Sequence, residues 1–368
     1  MVIAVPKEMK KHEYRVGMTP QTAAAYVRVG HSVIVEKGAG LGAGYVDEEY
    51  EKTGAVVLSD KRQVFSRAGM IVKVKEPQPE EIGLLREDHV LFTYLHLAAD
   101  PGLARALLEK EVASVAYETI ELSDRTLPCL TPMSEIAGRL AVQEGAKYLE
   151  KEYGGRGILI GGVPGVQRGC VAVLGGGVVG TNAAKIAVGM GAQVTVLDIN
   201  PKRLAYLDDI FGSSLTTLYA TEANIERALR ESDIVIGAVL VTGEKAPKLI
   251  TRRHLALMQP GAVIVDVAID QGGCAETSRP TTHDDPIYIV DGIVHYCVAN
   301  MPGAVARTST IALTSVTLPY GLEIAGSGLE AAAKANPAIR KGMNTYRGAC
   351  VHPGVAKSCS LAYVEPDL

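Results

Sequence analysis

An α/β fold of two domains is predicted by three observations on this sequence. Short apolar runs alternate with helix signals along most of the chain, which implies parallel strands joined by helical crossovers. The run Cys170-Val-Ala-Val-Leu breaks into the turn Gly175-Gly-Gly177-Val-Val-Gly180 and reopens as a helix. A length of 368 residues exceeds what one hydrophobic core comfortably holds. The expected architecture is therefore a pair of Rossmann-like doubly wound domains with mostly parallel sheets, joined by long helices around a cleft.

The elements follow in order. Val2 to Val5 is an apolar strand, and after a polar loop Thr19 and Pro20 supply an N-cap and a first-turn proline to a helix that stops at Gly30. Residues 32–35 form the next strand, 70–74 a buried one ending at Lys75, and 90–95 another ending at His96. Asp100 and Pro101 then open a helix, and 112–117 closes this series. Across 134–151 the spacing of Ile136, Leu140, Val142, Ala146 and Leu149 predicts a long helix that reads as a domain connector. The glycine-rich stretch 154–169 leads into strands near 170–174, 193–197, 214–219, 233–237 and 262–267. A helical tail follows Asn300, with 305–324 apolar enough to pack back on the connector. Residues 1–130 and 305–368 are thus expected to share one domain, with 131–304 forming the other together with the connector.

Composition excludes several classes. A net charge of −4 with no basic tract gives no reason to expect nucleic acid or an anionic membrane as a partner. The uncharged stretches are broken by glycines or Pro319 before reaching the roughly 20 apolar residues a span requires, and the amino terminus lacks the pattern of a signal peptide. Six scattered cysteines without a CxxC pair suggest neither a zinc site nor a disulfide framework, which fits a cytoplasmic protein. Glu323 and Ser327 lie one helical turn apart, but serine is a poor ligand, and no metal site is expected.

Each glycine of the turn has a physical task. Gly175 allows the tight turn, Gly177 removes a Cβ where a pyrophosphate must approach, and Gly180 lets helix and strand pack closely. Free amides at the helix start bind phosphate. Asp198 ends the next strand 18 residues after Gly180, where a carboxylate would accept from both adenosine ribose hydroxyls and repel a 2′-phosphate. The cofactor expected is NAD rather than NADP, with Lys202 and Arg203 as the nearby cations that argue the other way.

Ligands of open α/β sheets bind beyond the carboxyl ends of the strands, and Arg15, Lys75 and His96 are all expected at that edge. A guanidinium fork matches a carboxylate, with Lys75 as a second donor. The plainer readings are a solvated loop arginine, a strand-end lysine reaching water, and a satisfied core histidine. In the second domain Asp270 runs off a strand in Asp266-Val-Ala-Ile-Asp270-Gln-Gly-Gly, either facing a ligand or serving an Asx-type turn, with Asp266 the weaker candidate. The segment Tyr296-Cys-Val-Ala-Asn300-Met301-Pro suits a loop that holds a nicotinamide amide, or a hinge.

Taken together, Pro6-Lys-Glu, Arg15-Val-Gly-Met-Thr-Pro20, Val74-Lys75-Glu-Pro77, Tyr94-Leu-His96, Pro132-Met-Ser134-Glu-Ile-Ala-Gly, the glycine fingerprint, Asp266-Val-Ala-Ile-Asp270-Gln-Gly-Gly and Asn300-Met-Pro-Gly303 resemble the alanine dehydrogenase family over the full length. The resemblance implies NAD-dependent interconversion of L-alanine with pyruvate and ammonia. It implies that Arg15 and Lys75 hold the substrate carboxylate, that His96 and Asp270 handle protons, and that Asp198 takes the adenosine ribose. Ser134, Val178, Arg203, Val239, Leu240, Val267, Arg279, Asn300 and Met301 are implied as further cofactor contacts, 1–130 as the substrate domain, and the assembly as a homohexamer. The cofactor on one domain and the carboxylate clamp on the other imply closure over the substrate. The rival readings are the NAD-binding component of a transhydrogenase and a non-catalytic NAD-binding regulatory module.

Overall fold

Helix and strand alternate as expected in a computed structural model of the chain, which describes residues 1–239 and 246–368. Two compact units result: Met1–Met133 with Gly303–Leu368, and Ser134–Pro302.

The first unit is built on a sheet of β1 (Val2–Val5), β2 (Ser32–Glu36), β3 (Val56–Leu58), β4 (Met70–Val72), β5 (Val90–Thr93) and β6 (Ala113–Ala116), completed by two strands from near the end of the chain. Its parallel part runs in the order β3-β2-β1-β4-β5-β6, so the strand order reverses between β1 and β4. That reversal is the switch point at which doubly wound sheets bind ligands. β4, β5 and β6 are buried throughout, as strands covered on both faces must be. The helix Pro20–Arg28 carries the expected Thr19 cap, with Thr22 N–H donating to Thr19 Oγ1 at 3.2 Å, and Asp100 caps the helix Pro101–Glu109 through Leu103 N–H at 2.9 Å.

The second unit holds β7 (Cys170–Leu174), β8 (Gln193–Asp198), β9 (Thr216–Tyr219), β10 (Ile234–Gly237), β11 (Val263–Asp266), β12 (Ile287–Val290) and β13 (Ile293–Tyr296). Its order, β9-β8-β7-β10-β11-β13-β12, repeats the reversal, here between β7 and β10, and only β12 is antiparallel. The helix Thr131–Tyr148 starts and ends three residues before the expected connector. A Cβ on Gly145 would lie 2.9 Å from Ile234 Cγ2, which fixes how closely that helix rides on β10.

The chain then returns to the first unit with the helix Ala306–Ser327, the strands β14 (Met343–Tyr346) and β15 (Ala349–Cys350), and the helix Pro353–Cys359. Gly321 lets the long helix meet the helix Pro20–Arg28, since a Cβ there would sit 1.9 Å from the Tyr26 hydroxyl. β14 pairs antiparallel with β6.

Two strands stop short of their sequence-predicted ends for one reason. β4 ends at Val72 because Glu8 Oε1 takes the Val74 N–H at 2.7 Å, and β5 ends at Thr93 because the Glu118 carboxylate takes the N–H groups of Leu95 and His96. In each case a carboxylate replaces a strand partner just before a candidate site residue.

All six cysteines are free thiols. Among the described residues no helix is long and apolar enough to cross a membrane.

Candidate active site

Arg15, Lys75 and His96 leave the carboxyl ends of β1, β4 and β5 respectively, the edge expected for a ligand. Arg15 is not a solvated loop cation. Its side chain is 2% exposed and grips Glu13, itself 0% exposed, through Nε to Oε1 at 2.6 Å and Nη2 to Oε2 at 2.5 Å, while the Arg15 backbone N–H also donates to Glu13 Oε1 at 3.1 Å. Nη1 reaches Met133 Sδ at 3.2 Å. Burial pushes the Glu13 carboxyl up, but the hydrogen bonds and charge of Arg15 outweigh it and hold the group below the ordinary carboxylate range. A guanidinium fixed this way presents its donors in one orientation.

Lys75 is half-buried beside it. Burial, then the Arg15 charge, lowers the Lys75 pKa. Beneath this pair lies a wholly buried ion cluster in which Lys73 Nζ meets Glu8 Oε2 at 3.1 Å and Glu81 Oε1 at 3.0 Å. Because the same Glu8 carboxylate accepts from Val74 N–H, the cluster fixes the backbone that delivers Lys75.

His96 is 47% exposed at its side chain, so it is no core histidine. Its ring stacks on Tyr94 with centroids 5.8 Å apart and planes within 5°. Tyr94 is anchored by its buried hydroxyl, which donates to the Cys129 carbonyl at 2.6 Å, and by edge contacts to Tyr117. Burial drives the Tyr94 pKa far upward, so the phenol stays neutral.

In the second unit the glycine turn is built as the motif requires. Gly175 has φ +100°, and a Cβ on Gly180 would lie 1.8 Å from the Gly175 carbonyl oxygen. A Cβ on exposed Gly177 would meet nothing within 4 Å. The space there is open at the start of the helix Val178–Gly189, where a phosphate would sit. Gly176 falls at a free position of the GxGxxG pattern, yet a Cβ there would stand 2.8 Å from Leu207 Cδ1 and 3.3 Å from Asp198 Oδ2. Asp198 accepts from Gly176 N–H at 2.7 Å and from Asn200 N–H at 2.8 Å, which aims its carboxylate at the turn. Arg203 folds over the same turn, donating to the Gly176 carbonyl and to Thr181 Oγ1, and it lies on the Tyr206 ring. Its guanidinium is thereby committed to the protein.

Gly138 of the Ser134 segment brings two helices together, since a Cβ there would be 2.1 Å from the Val179 carbonyl oxygen. Ser134 is half-buried on the helix Thr131–Tyr148, Val178 is exposed, and Val239 and Val267 are half-buried at the ends of β10 and β11. Leu240 lies outside the described residues. Arg279 stacks on Tyr288 at 4.1 Å, at the β12 edge of the sheet. Asn300 has φ +63°, and Met301 is buried.

Asp270 is exposed on the 3-10 turn Val267–Gln271. The other aspartate of its segment shapes that turn: buried Asp266 accepts from Ala268 N–H at 3.2 Å, Cys274 N–H at 2.8 Å, Ala275 N–H at 3.2 Å and Ser278 Oγ at 2.5 Å. Lys248 ties down the far side through the carbonyls of Gly272, Gly273 and Ala275. Sequence reasoning misses Glu13, Glu118 and Lys248. Of the three, only Glu13 carries a local signal, as an acid two residues from a candidate arginine.

A cavity of about 470 Å³ lined by Glu87, His89, Val90, Ala113, Leu329 and Tyr346 opens at the amino ends of β5 and β6, the edge opposite to this chemistry. Among the described residues one group of metal-type side chains gathers, Glu222, Glu226 and His254. Its carboxylates already pair with Arg253 and Arg230, and His254 Nδ1 accepts from Thr251 N–H at 3.2 Å, which leaves the proton of the neutral ring on the other nitrogen. Ser327 and Glu323 are likewise spent on local bonds, to the Glu323 carbonyl and from Asn336.

Comparison with known proteins bears on both units. The family model described as alanine dehydrogenase/PNT, N-terminal domain, matches residues 4–137, and its C-terminal counterpart matches 141–353. Over 368 residues the chain is 57% identical to an alanine dehydrogenase of Methanococcus maripaludis, covering 100% of this chain and 99% of the relative. A solved L-alanine dehydrogenase superimposes with a TM-score of 0.95 at 52% identity, covering 97% of this chain and 99% of that one. A transhydrogenase structure from Sinorhizobium meliloti gives 0.82 at 25% identity, covering 96% and 99%.

Proposed function

The chain belongs to the alanine dehydrogenase/PNT family, and from that premise we propose that it oxidises L-alanine with NAD and water to pyruvate, ammonium, NADH and a proton, and runs the reverse reductive amination. The observation that carries this reading is the buried Arg15 guanidinium, locked by Glu13 beside Lys75 at the switch point of the first sheet. That is a carboxylate receptor.

Arg15 and Lys75 bind the carboxylate of alanine or pyruvate. Fixing it orients Cα, and positioning of this kind contributes up to about 7–11 kcal/mol in favourable cases. His96 takes the ammonium proton, and Asp270 assists the addition of water to the imine and the collapse of the carbinolamine. Each such general acid or base contributes about 10²- to 10⁴-fold. Asp198 receives the adenosine ribose, and Gly175, Gly177 and Gly180 form the pyrophosphate turn, to which the open space at Gly177 is suited. NAD, when bound, supplies the hydride acceptor. Ser134, Val178, Arg203, Val239, Leu240, Val267, Arg279, Asn300 and Met301 complete its contacts in this reading.

Asp198 carries the charge that disfavours a 2′-phosphate, and Arg203, one of the two cations that argue the other way, is committed to Gly176 and Thr181. NAD is therefore the cofactor we assign over NADP. The transhydrogenase component is the weaker reading, because the chain carries Arg15, Lys75, His96 and Asp270 together and is far more similar in sequence to the alanine enzymes. The same reading extends to a cytoplasmic homohexamer, for which sedimentation velocity is the test.

The deciding experiment follows reduced-nicotinamide absorbance with L-alanine and NAD, with glycine, L-serine and NADP in parallel. NADH production that requires alanine supports the reading. Silence with every amino acid, despite measurable NAD binding, would overturn it.

A further inference from the structure

We propose that Glu118 is the positioning residue for His96, an inference that rests on the reading of His96 as the proton-handling group. His96 has φ +51° and ψ +34°, the left-handed region that a side-chain-bearing residue rarely occupies. The chain that delivers His96 to this conformation is tied down by Glu118.

Glu118 sits on the 3-10 turn Tyr117–Thr119 that follows β6, the strand beside β5. Its carboxylate accepts the His96 N–H at 2.6 Å and the Leu95 N–H at 3.2 and 3.3 Å. Two successive amides thus converge on one anion, which ties the peptide on either side of Leu95 to the turn after β6. The neighbouring side chains fix Glu118 in turn: Tyr117 packs edge-on against Phe92 and Tyr94, and Thr119 Oγ1 donates to the Ala116 and Gly342 carbonyls at 3.2 and 3.1 Å.

The same carboxylate oxygen that accepts the His96 N–H lies 4.0 Å from ring Nδ1. One oxygen thus holds the His96 amide and faces the inner ring nitrogen. With Tyr94 stacked parallel against the ring, the imidazole is fixed about two axes. Nε2 is then the nitrogen that exchanges protons with substrate, and an anion next to Nδ1 stabilises the imidazolium formed when it does so. Glu118 touches neither substrate nor cofactor in this account. It acts through His96.

The test compares Glu118→Gln and Glu118→Ala with His96→Gln in the intact enzyme, reading kcat, the pyruvate KM, the NADH dissociation constant and the thermal midpoint. Loss of a supporting partner of this kind costs about 10- to 100-fold. Glu118→Ala should lower kcat by about that factor with pyruvate KM and NADH affinity within about twofold, and Glu118→Gln, which keeps an acceptor for the amides but not the charge, should recover part of it. Adding Glu118→Gln to His96→Gln should change the residual rate little, since the two act as a unit. Where Glu118→Ala does not fold, Glu118→Gln decides alone. Wild-type kcat in Glu118→Gln, a loss that appears in KM rather than kcat, or full additivity with His96→Gln would each overturn the proposal while leaving the His96 assignment standing. Normal turnover in His96→Gln would remove that assignment and the proposal with it.

Discussion

Glu13 and Arg15 form a buried two-point ion pair across only two residues of chain, with both forks of the contact at 2.5–2.6 Å. The pair is neutral as a whole. In the proposed site Arg15 would therefore contribute directed donors to the substrate carboxylate, and Lys75 would supply the net positive charge.

Removing one partner of this pair and removing both should differ. Arg15→Ala leaves a buried carboxylate uncompensated, a loss worth about 3–5 kcal/mol of stability, and also weakens pyruvate binding. Glu13→Gln combined with Arg15→Ala removes the stranded charge, so the thermal midpoint should recover most of its loss while pyruvate affinity stays low. Recovery of both together would mean that Arg15 has no part in binding. Acid behaviour gives a second readout. Since the folded Glu13 pKa is depressed, its stabilisation is fully present above the unfolded value of about 4.3 and is lost as pH falls through the lower folded one. Acid unfolding of Glu13→Gln should be correspondingly less steep.

If Lys75 binds the substrate carboxylate as proposed, it should set an alkaline limit on that binding. Its pKa is lowered by burial and by Arg15, so in the free enzyme it sheds its proton below the ordinary lysine value of about 10.4, and the carboxylate loses its counter-charge as pH rises through that point. Pyruvate KM should climb at alkaline pH, and Lys75→Arg, which keeps its charge, should flatten the climb even if its absolute KM is higher. An unchanged KM profile in Lys75→Arg would place the titrating group elsewhere.

Two glycines of the turn predict opposite phenotypes. Gly177 has φ −65° and open space where a methyl would stand, so Gly177→Ala should fold with a normal thermal midpoint and yet bind NADH at least about tenfold more weakly, because the methyl occupies the approach of the pyrophosphate. Gly180→Ala drives a methyl to 1.8 Å from the Gly175 oxygen and should lower stability before binding can be assessed. Calorimetric titration with NADH checks the first, and thermal melts check the second. Undiminished NADH binding by Gly177→Ala would displace the pyrophosphate from this turn.

Cofactor selection should turn on Asp198. In Asp198→Asn the side-chain oxygen still accepts one of the two amides now held by Gly176 and Asn200, while the charge that repels a 2′-phosphate is gone. The ratio of NADP to NAD affinity should rise by about tenfold or more, measured by competition against NADH. An unchanged ratio would show that discrimination resides elsewhere.

The parallel core of both sheets was legible because buried strands read as continuous apolar runs: β1 and β7 fall on their predicted residues, and β5 and β10 differ by a residue or two. What escaped was short or antiparallel. β3 has three half-exposed or exposed residues, too few for any period to show. The hairpins β12–β13 and β14–β15 turn through Asp291-Gly292 and Arg347-Gly348, all four residues at positive φ, as two-residue hairpin turns demand. Asp-Gly between apolar runs was a readable signal. Among the site residues, the fingerprint glycines and the strand-end positions of Lys75, His96 and Asp270 follow from local sequence. The supports do not: Glu118 reaches Leu95 and His96 from 22 and more residues away, and Lys248 reaches the Asp270 turn across 24. No local period encodes such contacts.

Asp266 and Asp270, four residues apart in one turn, test scaffold against the proposed chemistry. Asp266 is buried with four donors on its two oxygens, so Asp266→Asn must point an amide nitrogen at some of them, at a cost of about 1–3 kcal/mol for each group left unpaired. Its thermal midpoint should fall, and activity should fall with the deformed turn. Asp270 is exposed and, among the described residues, supports no part of that scaffold, so Asp270→Asn should melt as the wild type does and bind NADH normally. Its turnover should nonetheless drop by about 10²- to 10⁴-fold, the contribution of one general acid or base. Steady-state rates with alanine and with pyruvate plus ammonium, set beside melts of both variants, make the comparison. Near-normal turnover in Asp270→Asn would assign the water-activating step to another group and leave the turn with a purely structural role.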